Sequence, residues 1–405
     1  MDKKRLLFVD DEPMILKGLQ RTLRKMRHEW DIQYAEGGEA ALSLLTSRPV
    51  DVVISDMRMP GMDGAQLLGI VKERFPQVVR IILSGQLDRD MTLKSVKVAH
   101  QLLAKPCNVD ILREALQKTF ALSRILADGS IRRVVARIDT LPSMPASCSD
   151  IMEELQAEEA SIQKVANLIA CDLGMTAKIL QMVNSAFFGL YRQVTDVQDA
   201  VMLLGLDAIK ALVLSINVFS AFNTRRIPFF DFEGLWQHSL ATGGYAKQIM
   251  AQVTRDRELA TAAFLSGMLH DIGKLILAVN FSDAYRDLLQ KLPETASDRL
   301  TQEAEMIGTT HAEIGAYLMG LWGLEPPILA AIAFHHCPQD SQVQAVGPIT
   351  AVHLANGFEH GLRQSNRNSG KSGEDFDAAY LDSLDITGEV ETWRQACADL
   401  EGESL

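Results

Sequence analysis

Apolar residues in the first part of the chain fall in short blocks, "LLFVD", "IQYAE", "DVVISD", "RIILSG" and "QLLAK", separated by segments of helical length and spacing. Short β-rich runs alternating with helices build parallel sheets with crossover connections. The pattern predicts a doubly wound α/β domain of five parallel strands over residues 1–120. Farther along, the apolar period lengthens. "IQKVANLIA", "MTAKILQMV", "AVMLLGLDAIKALVLSI" and "LWQHSLATGGYAKQIM" carry the spacing of helices with one buried face. An all-α domain is expected over residues 139–405. A helical connector over 121–138 continues the spacing of Ile111, Leu112, Ala115, Leu116, Phe120, Ile125 and Leu126, with Gly129 as a candidate break. Residues 361–376, around "NRNSGKSGED", read as a flexible surface loop, and "WRQACADL" as part of a closing helix over 376–400.

A length of 405 residues accommodates such a multidomain chain. No apolar run is expected to approach the roughly 20 residues that span a bilayer. The start "MDKKRLLFVDDEP" is basic, but acids interrupt its apolar run, so no signal-peptide core is expected and the chain reads as cytoplasmic, with no membrane partner. Cys107, Cys148, Cys171, Cys337 and Cys397 are scattered, with no CxxC pair, and read as reduced thiols. The balance of 52 acids against 40 bases, a formal net charge of -12, disfavours direct nucleic-acid binding. A transcription regulator would need a basic face that this charge does not promise.

The strand ends bring in chemistry. In a parallel sheet the residues at the carboxyl ends of the strands converge on one crevice. Here these are Asp10 and Asp11 after the first strand, Asp56 at the third, Ser84 at the fourth and Lys105 at the fifth. Crowded carboxylates need a cation between them, and hard oxygen ligands suit magnesium. With such an ion, Asp56 is equipped to attack a phosphoryl group, Lys105 to neutralise its oxygens and Ser84 to donate a hydrogen bond to it. "FVDDEP", "DMRMPGMDG", "LSG" and "AKP" give residues 1–120 a resemblance to two-component response-regulator receiver domains. The resemblance implies a flavodoxin-like fold in which Asp56 is the phosphoacceptor, Asp10, Asp11, Asp56 and the carbonyl of Arg58 hold magnesium, and Ser84 and Lys105 contact the phosphoryl group. Leu102 departs from the family, which carries an aromatic residue there, so a rotating ring is not expected to be the readout.

The histidines form a second pattern: His238, then His270 and Asp271 in "GMLHDIGKL", then His311, then His335 and His336. Each lies in or at the end of an expected helix, so they can meet in a bundle core, where imidazole and carboxylate together suit zinc, manganese, iron or nickel. "LPSMP", "VNSAFFGLYRQV", "VQDAVMLLGLDAIKALVL" and "LHDIGK" resemble the HDOD family, a helical output domain related to HD phosphohydrolases. Lys274 would neutralise phosphate in a hydrolase. The last HD position, normally aspartate, falls on Asn356, a weaker ligand, and "HHCPQDSQVQAVGP" has no GYP motif. Asn184 is expected to cap or bridge helices with its amide, Gly189 and Gly205 to form tight turns, and the glycines of "ATGGYAK" to let helices pack closely.

These readings combine into a response regulator of a phosphorelay. A sensor histidine kinase or phosphotransfer protein would phosphorylate Asp56, with a phosphorylation-dependent homodimer as one outcome, and the output domain would bind a downstream signalling protein or small ligand without catalysis. The alternative is a receiver-gated, metal-dependent phosphohydrolase acting on a nucleotide or cyclic dinucleotide.

Overall fold

The computed structural model describes residues 3–75, 78–84, 98–99, 101–105, 112–113, 116, 134, 151, 154–155, 160–184, 194–220, 222, 227–291, 296–322, 324–341, 343–365 and 376–402. The chain divides into two compact units, one dominated by residues 1–121, the other by 147–320 and 324–405. The expected connector over 121–138, Gly189 and the loop over 366–375 lie outside the described residues, apart from Val134.

In the first unit β1 (Lys4–Val9), β2 (Trp30–Ala35), β3 (Val52–Asp56), β4 (Val79–Ser84) and β5 (Gln101–Ala104) form a five-stranded sheet in the order β2-β1-β3-β4-β5. Every pairing is parallel. Helices α1 (Pro13–Thr22), α2 (Gly38–Ser47) and α3 (Gly64–Arg74) follow the first three strands. Leu6 to Val9 and Val52 to Ile54 are buried, which is why these strands read as continuous apolar runs rather than alternating ones. The expected α/β sheet is present with all of its strands.

The second unit is helical. It contains α4 (Ile162–Ala170), α5 (Leu173–Val183), α6 (Val197–Leu204), α7 (Leu206–Ser220), α8 (Phe232–Val253), α9 (Arg257–Leu269) and α10 (Ile272–Asn280). These are followed by α11 (Ser282–Gln290), α12 (Ala296–Ile307), α13 (His311–Leu321), α14 (Pro326–Phe334), α15 (Pro348–Ser365), α16 (Ala378–Ser383) and α17 (Val390–Gly402). Asp231 and Asp256 cap α8 and α9 by accepting backbone N–H bonds from Gly234 at 2.8 Å and Glu258 at 2.9 Å. α8 packs along α9 and α15, and α14 packs against α9 and α15. Tyr245, Ile249, Val352, Phe358 and Trp393 belong to the core that results.

Gly205, with φ +82°, separates α6 from α7. Asn184 stands at the C-terminal cap of α5 and ties it to the segment before α6: its Nδ2 donates to the carbonyls of Leu180 at 2.8 Å and Val194 at 2.7 Å, and its Oδ1 accepts from Val194 N at 2.7 Å. The glycines of α8 also serve packing. A Cβ on Gly267 would lie 2.7 Å from Gly243 Cα, so α8 and α9 cross backbone to backbone.

Three expectations need correction. Residues 361–365 belong to α15: Gly361 weakens the helix without ending it, and Leu362 packs against the core that contains Tyr245 and Phe358. The closing segment is two helices, α16 and α17, rather than one, with Asp385 in left-handed conformation at φ +56° between them. Finally, α9 and α10 follow each other so closely that Arg257–Asn280 is long and apolar enough to cross a membrane by length and composition, with mean hydropathy 1.5. Yet 83% of that window is buried inside the unit, where it serves as core.

Candidate phosphoacceptor site and metal centre

Register sets the first site. Val9 pairs with Ser55, Asp56 with Leu83 and Ser84 with Ala104, so the carboxyl ends of β1, β3, β4 and β5 lie level. Carboxylate oxygens of Asp10, Asp11 and Asp56 lie within 4.8 Å of one another. Lys105 answers their mutual repulsion. Its Nζ is 2.6 Å from Asp56 Oδ1 and 3.2 Å from Asp10 Oδ2. Burial opposes the ammonium, but Asp56 and Asp10 outweigh it and raise the Lys105 pKa, which keeps the lysine charged.

The loop after β3 supports Asp56 from behind. Asp63 and Gln66 form a reciprocal cap on α3, with bonds of 2.7 and 3.0 Å, and Gly64 N donates to Met57 O at 3.0 Å. A Cβ on Gly64 would fall 2.2 Å from the carbonyl oxygen of Asp56. The backbone places Ser84 at the end of β4 and Leu102 within β5; both side chains lie outside the described ones. Arg58 stands in the loop that leaves β3, with its side chain exposed.

The second site lies inside the helical unit. Asp271 occupies the break between α9 and α10 and is 1% exposed. Its two oxygens face different histidines. Oδ2 lies 3.4 Å from Nε2 of both His238 and His270, whose own Nε2 atoms are 3.1 Å apart. Oδ1 lies 3.2 Å from His311 Nε2 and 3.8 Å from His335 Nε2, and His311 Nε2 is 3.1 Å from His336 Nε2. The structure therefore brings together His238, His270, Asp271, His311, His335 and His336, in two lobes that share one carboxylate.

The far side of four of the rings, those of His238, His270, His311 and His335, explains why their Nε2 atoms face inward. Nδ1 of His238 lies 2.6 Å from Glu359 Oε2, and that of His311 lies 2.7 Å from Glu303 Oε2. Nδ1 of His270 lies 2.7 Å from Gly267 O, and that of His335 lies 2.8 Å from Ile332 O. These partners are acceptors, so each Nδ1 carries the proton and each Nε2 presents a lone pair to the centre. Lone pairs facing one another and a carboxylate call for positive charge between them. Among the described residues, Asp271 Oδ1 and His335 Nε2 are buried without a hydrogen-bond partner, as ligands of a metal would be. The donor set fits a divalent transition metal.

Electrostatics within the cluster differ by ring. Burial pushes His335 and His336 well below the usual imidazole range, and also lowers His270. For His238 and His311 burial is outweighed by Asp271 with Glu359, and by Glu303 with Asp271, so both pKa values rise. Burial likewise disfavours the Asp271 carboxylate, yet His270 and Lys274 overcome it and hold its pKa well below the ordinary value. Lys274, one turn into α10, pairs directly with Asp271 Oδ2.

Asn356 lies on α15, three residues before Glu359, so the two share a helix face. Its Oδ1 is buried without a hydrogen-bond partner among the described residues. Sequence reasoning missed Glu303, Glu359 and His360. His360 stacks beside His238 with ring centroids 4.8 Å apart, and groups with His238 and Glu359 as a further set of potential ligand atoms. The one signal for the last two was their helical spacing of three and four residues from Asn356.

Comparison with known proteins agrees with this division. The response regulator receiver domain model matches residues 6–117, and the HDOD domain model matches residues 141–338. The chain joins a receiver domain of the response-regulator class to an HDOD domain. An uncharacterized protein of Treponema pallidum (strain Nichols) is 25% identical over 338 residues, covering 78% of this chain and 64% of the relative. Response regulator protein PilR of Pseudomonas aeruginosa is 31% identical over 123 residues, covering 30% of this chain and 27% of PilR. This chain thus spans less than two thirds of either relative. A solved structure from Shewanella amazonensis SB2B, named "Putative phosphohydrolase", covers 67% of this chain and 95% of its own, with 20% identity and a TM-score of 0.52, a likeness of fold. The HDOD match contains Asp271 and the five histidines around it but ends before Asn356, Glu359 and His360.

Proposed function

We propose that this chain is a cytoplasmic response regulator in which phosphorylation of Asp56 controls an HD-like output domain that holds a divalent metal at Asp271. The observation that carries the output half is the inward set of Nε2 lone pairs, each fixed by an Nδ1 partner, around a buried carboxylate. On the receiver side, Asp56 takes the phosphoryl group from a sensor histidine kinase or phosphotransfer protein. Asp10, Asp11 and the Arg58 carbonyl hold magnesium, and Lys105 and Ser84 contact the phosphoryl oxygens. In the output domain His238, His270 and Asp271 hold one ion, and Asp271, His311, His335 and His336 a second, of zinc, manganese, iron or nickel. A downstream protein or small ligand reads the result.

Metal content of full-length, untagged protein purified without chelator tests the output half. One or two equivalents per chain, lost in His270→Ala, are expected; metal-free protein that also gains no thermal stability from added zinc or manganese refutes it. For the receiver half, acetyl phosphate with magnesium should label wild type and not Asp56→Asn.

A second reading, a metal-dependent phosphohydrolase, is favoured by Lys274, which pairs with Asp271 at the edge of the centre. A bound ion would supply a water of lowered pKa. Lys274 would neutralise the phosphate and Asp271 would orient the ligands. Turnover of bis(p-nitrophenyl) phosphate by metal-loaded protein, abolished in Lys274→Ala with metal content retained, would support it; no turnover in either phosphorylation state leaves a binding output.

A further inference from the structure

His353 belongs to none of the sequence motifs and lies beyond the HDOD match, yet it connects the metal centre to the end of the chain. α14 ends at Phe334, so the carbonyl of His335 is among those left without an intrahelical partner. His353 Nδ1 lies 2.8 Å from that carbonyl oxygen. Across the same ring, Nε2 lies 2.9 Å from the backbone nitrogen of Asp377. A carbonyl only accepts and a backbone amide only donates, so the ring is neutral, with its proton on Nδ1.

The surroundings hold this ring in place. His353 is 3% exposed, and Phe376 and Tyr380 meet it edge-on at 6.1 and 6.4 Å between ring centroids. The Tyr380 hydroxyl lies 2.8 Å from Thr350 Oγ1, one turn before His353 on α15. Gly357, one turn after it, leaves room for Phe376: a Cβ there would fall 2.2 Å from the Phe376 ring. Residues 376–383 therefore dock on the face of α15 whose central polar group grips the backbone of a cluster histidine.

We propose that His353 is a positioning residue for the centre. It transmits the docking of residues 376–383 to the His335 backbone and so fixes the direction in which the His335 and His336 rings reach Asp271. The proposal rests on the metal reading above for its metal measurement alone. It makes the C-terminal segment part of the site, although no residue of that segment would touch the ion.

The test uses four full-length variants. His353→Ala removes both bonds, while His353→Gln keeps one donor and one acceptor. Asp377→Ala and Asp377→Pro both lose the side-chain cap on Tyr380 N, but only proline loses the N–H that reaches His353; φ at Asp377 is -75°, which proline accepts. Zinc affinity by chelator competition should fall about tenfold or more in His353→Ala and Asp377→Pro, and stay near wild type in the other two. Hydrogen exchange of amides 335–337, in chelator-treated protein, should accelerate in the same two variants and not in the others. Wild-type affinity and unchanged exchange in His353→Ala and Asp377→Pro overturn the proposal. So does equal loss in Asp377→Ala and Asp377→Pro, which would assign the effect to the cap. If wild type binds no zinc, the metal reading fails, and the exchange measurement decides the positioning role by itself.

Discussion

Gly64 and Gly18 both sit in helices of the receiver, but their neighbourhoods predict opposite outcomes for the same added methyl. At Gly64 it would meet the Asp56 carbonyl at 2.2 Å, and backbone cannot rotate away as a side chain can; at Gly18 nothing lies within 4 Å. Gly64→Ala is expected to destabilise the receiver by roughly 1–3 kcal/mol and to slow labelling by acetyl phosphate. Gly18→Ala should stabilise it by roughly 0.5–1 kcal/mol with labelling unchanged. Urea melts followed on both variants check the signs, and a neutral Gly64→Ala would mean that the loop behind Asp56 is free to shift. The acids at the strand ends were legible because each one terminates an apolar run. Glu303 was not: it lies in "TQEAEMIG" beside Glu305, and nothing in that pattern separates a fully buried glutamate under His311 from a solvated one. Only tertiary structure shows that His311 turns its Nδ1 toward Glu303.

Between elements, the crossing of α8 and α9 carries the geometry of the centre. Gly243 and Gly267 touch through backbone atoms, and His270, one turn after Gly267, bonds to the Gly267 carbonyl at 2.7 Å. Gly267→Ala should therefore cost both stability and metal: a fall in melting temperature in chelator, and a further loss of the zinc-induced increase. A variant that melts lower yet retains the full zinc increase would show that the crossing and the centre are independent. Close packing was readable from "ATGGYAK", since two adjacent glycines in an otherwise good helix invite a backbone contact. The helix ends near residue 365 and around Asp385 were less legible, because polar, mixed-charge sequence looks alike in a solvated last turn and in a loop.

For the molecule as a whole, two compact units with separate cores predict two calorimetric transitions. Zinc or manganese should move the transition of the helical unit and leave the receiver's in place, and His270→Ala should remove that shift. A single transition that moves as one would refute the separation. The alternation of periods in the sequence sufficed to tell an α/β unit from a helical one; the pairing of His311 with a carboxylate on α12 and of His238 with one on α15 required the assembled bundle. Gly273, the glycine of that motif, has a role of its own. A Cβ on it would fall 1.9 Å from the His311 carbonyl oxygen, so α10 and α13 pass each other only where this residue has no side chain. The glycine thus records the helix crossing, whereas the histidines record the proposed metal centre. In a relative where histidines have been replaced and this glycine persists, the frame outlives its cargo, and the site can be read as one that was emptied, not one that was never built.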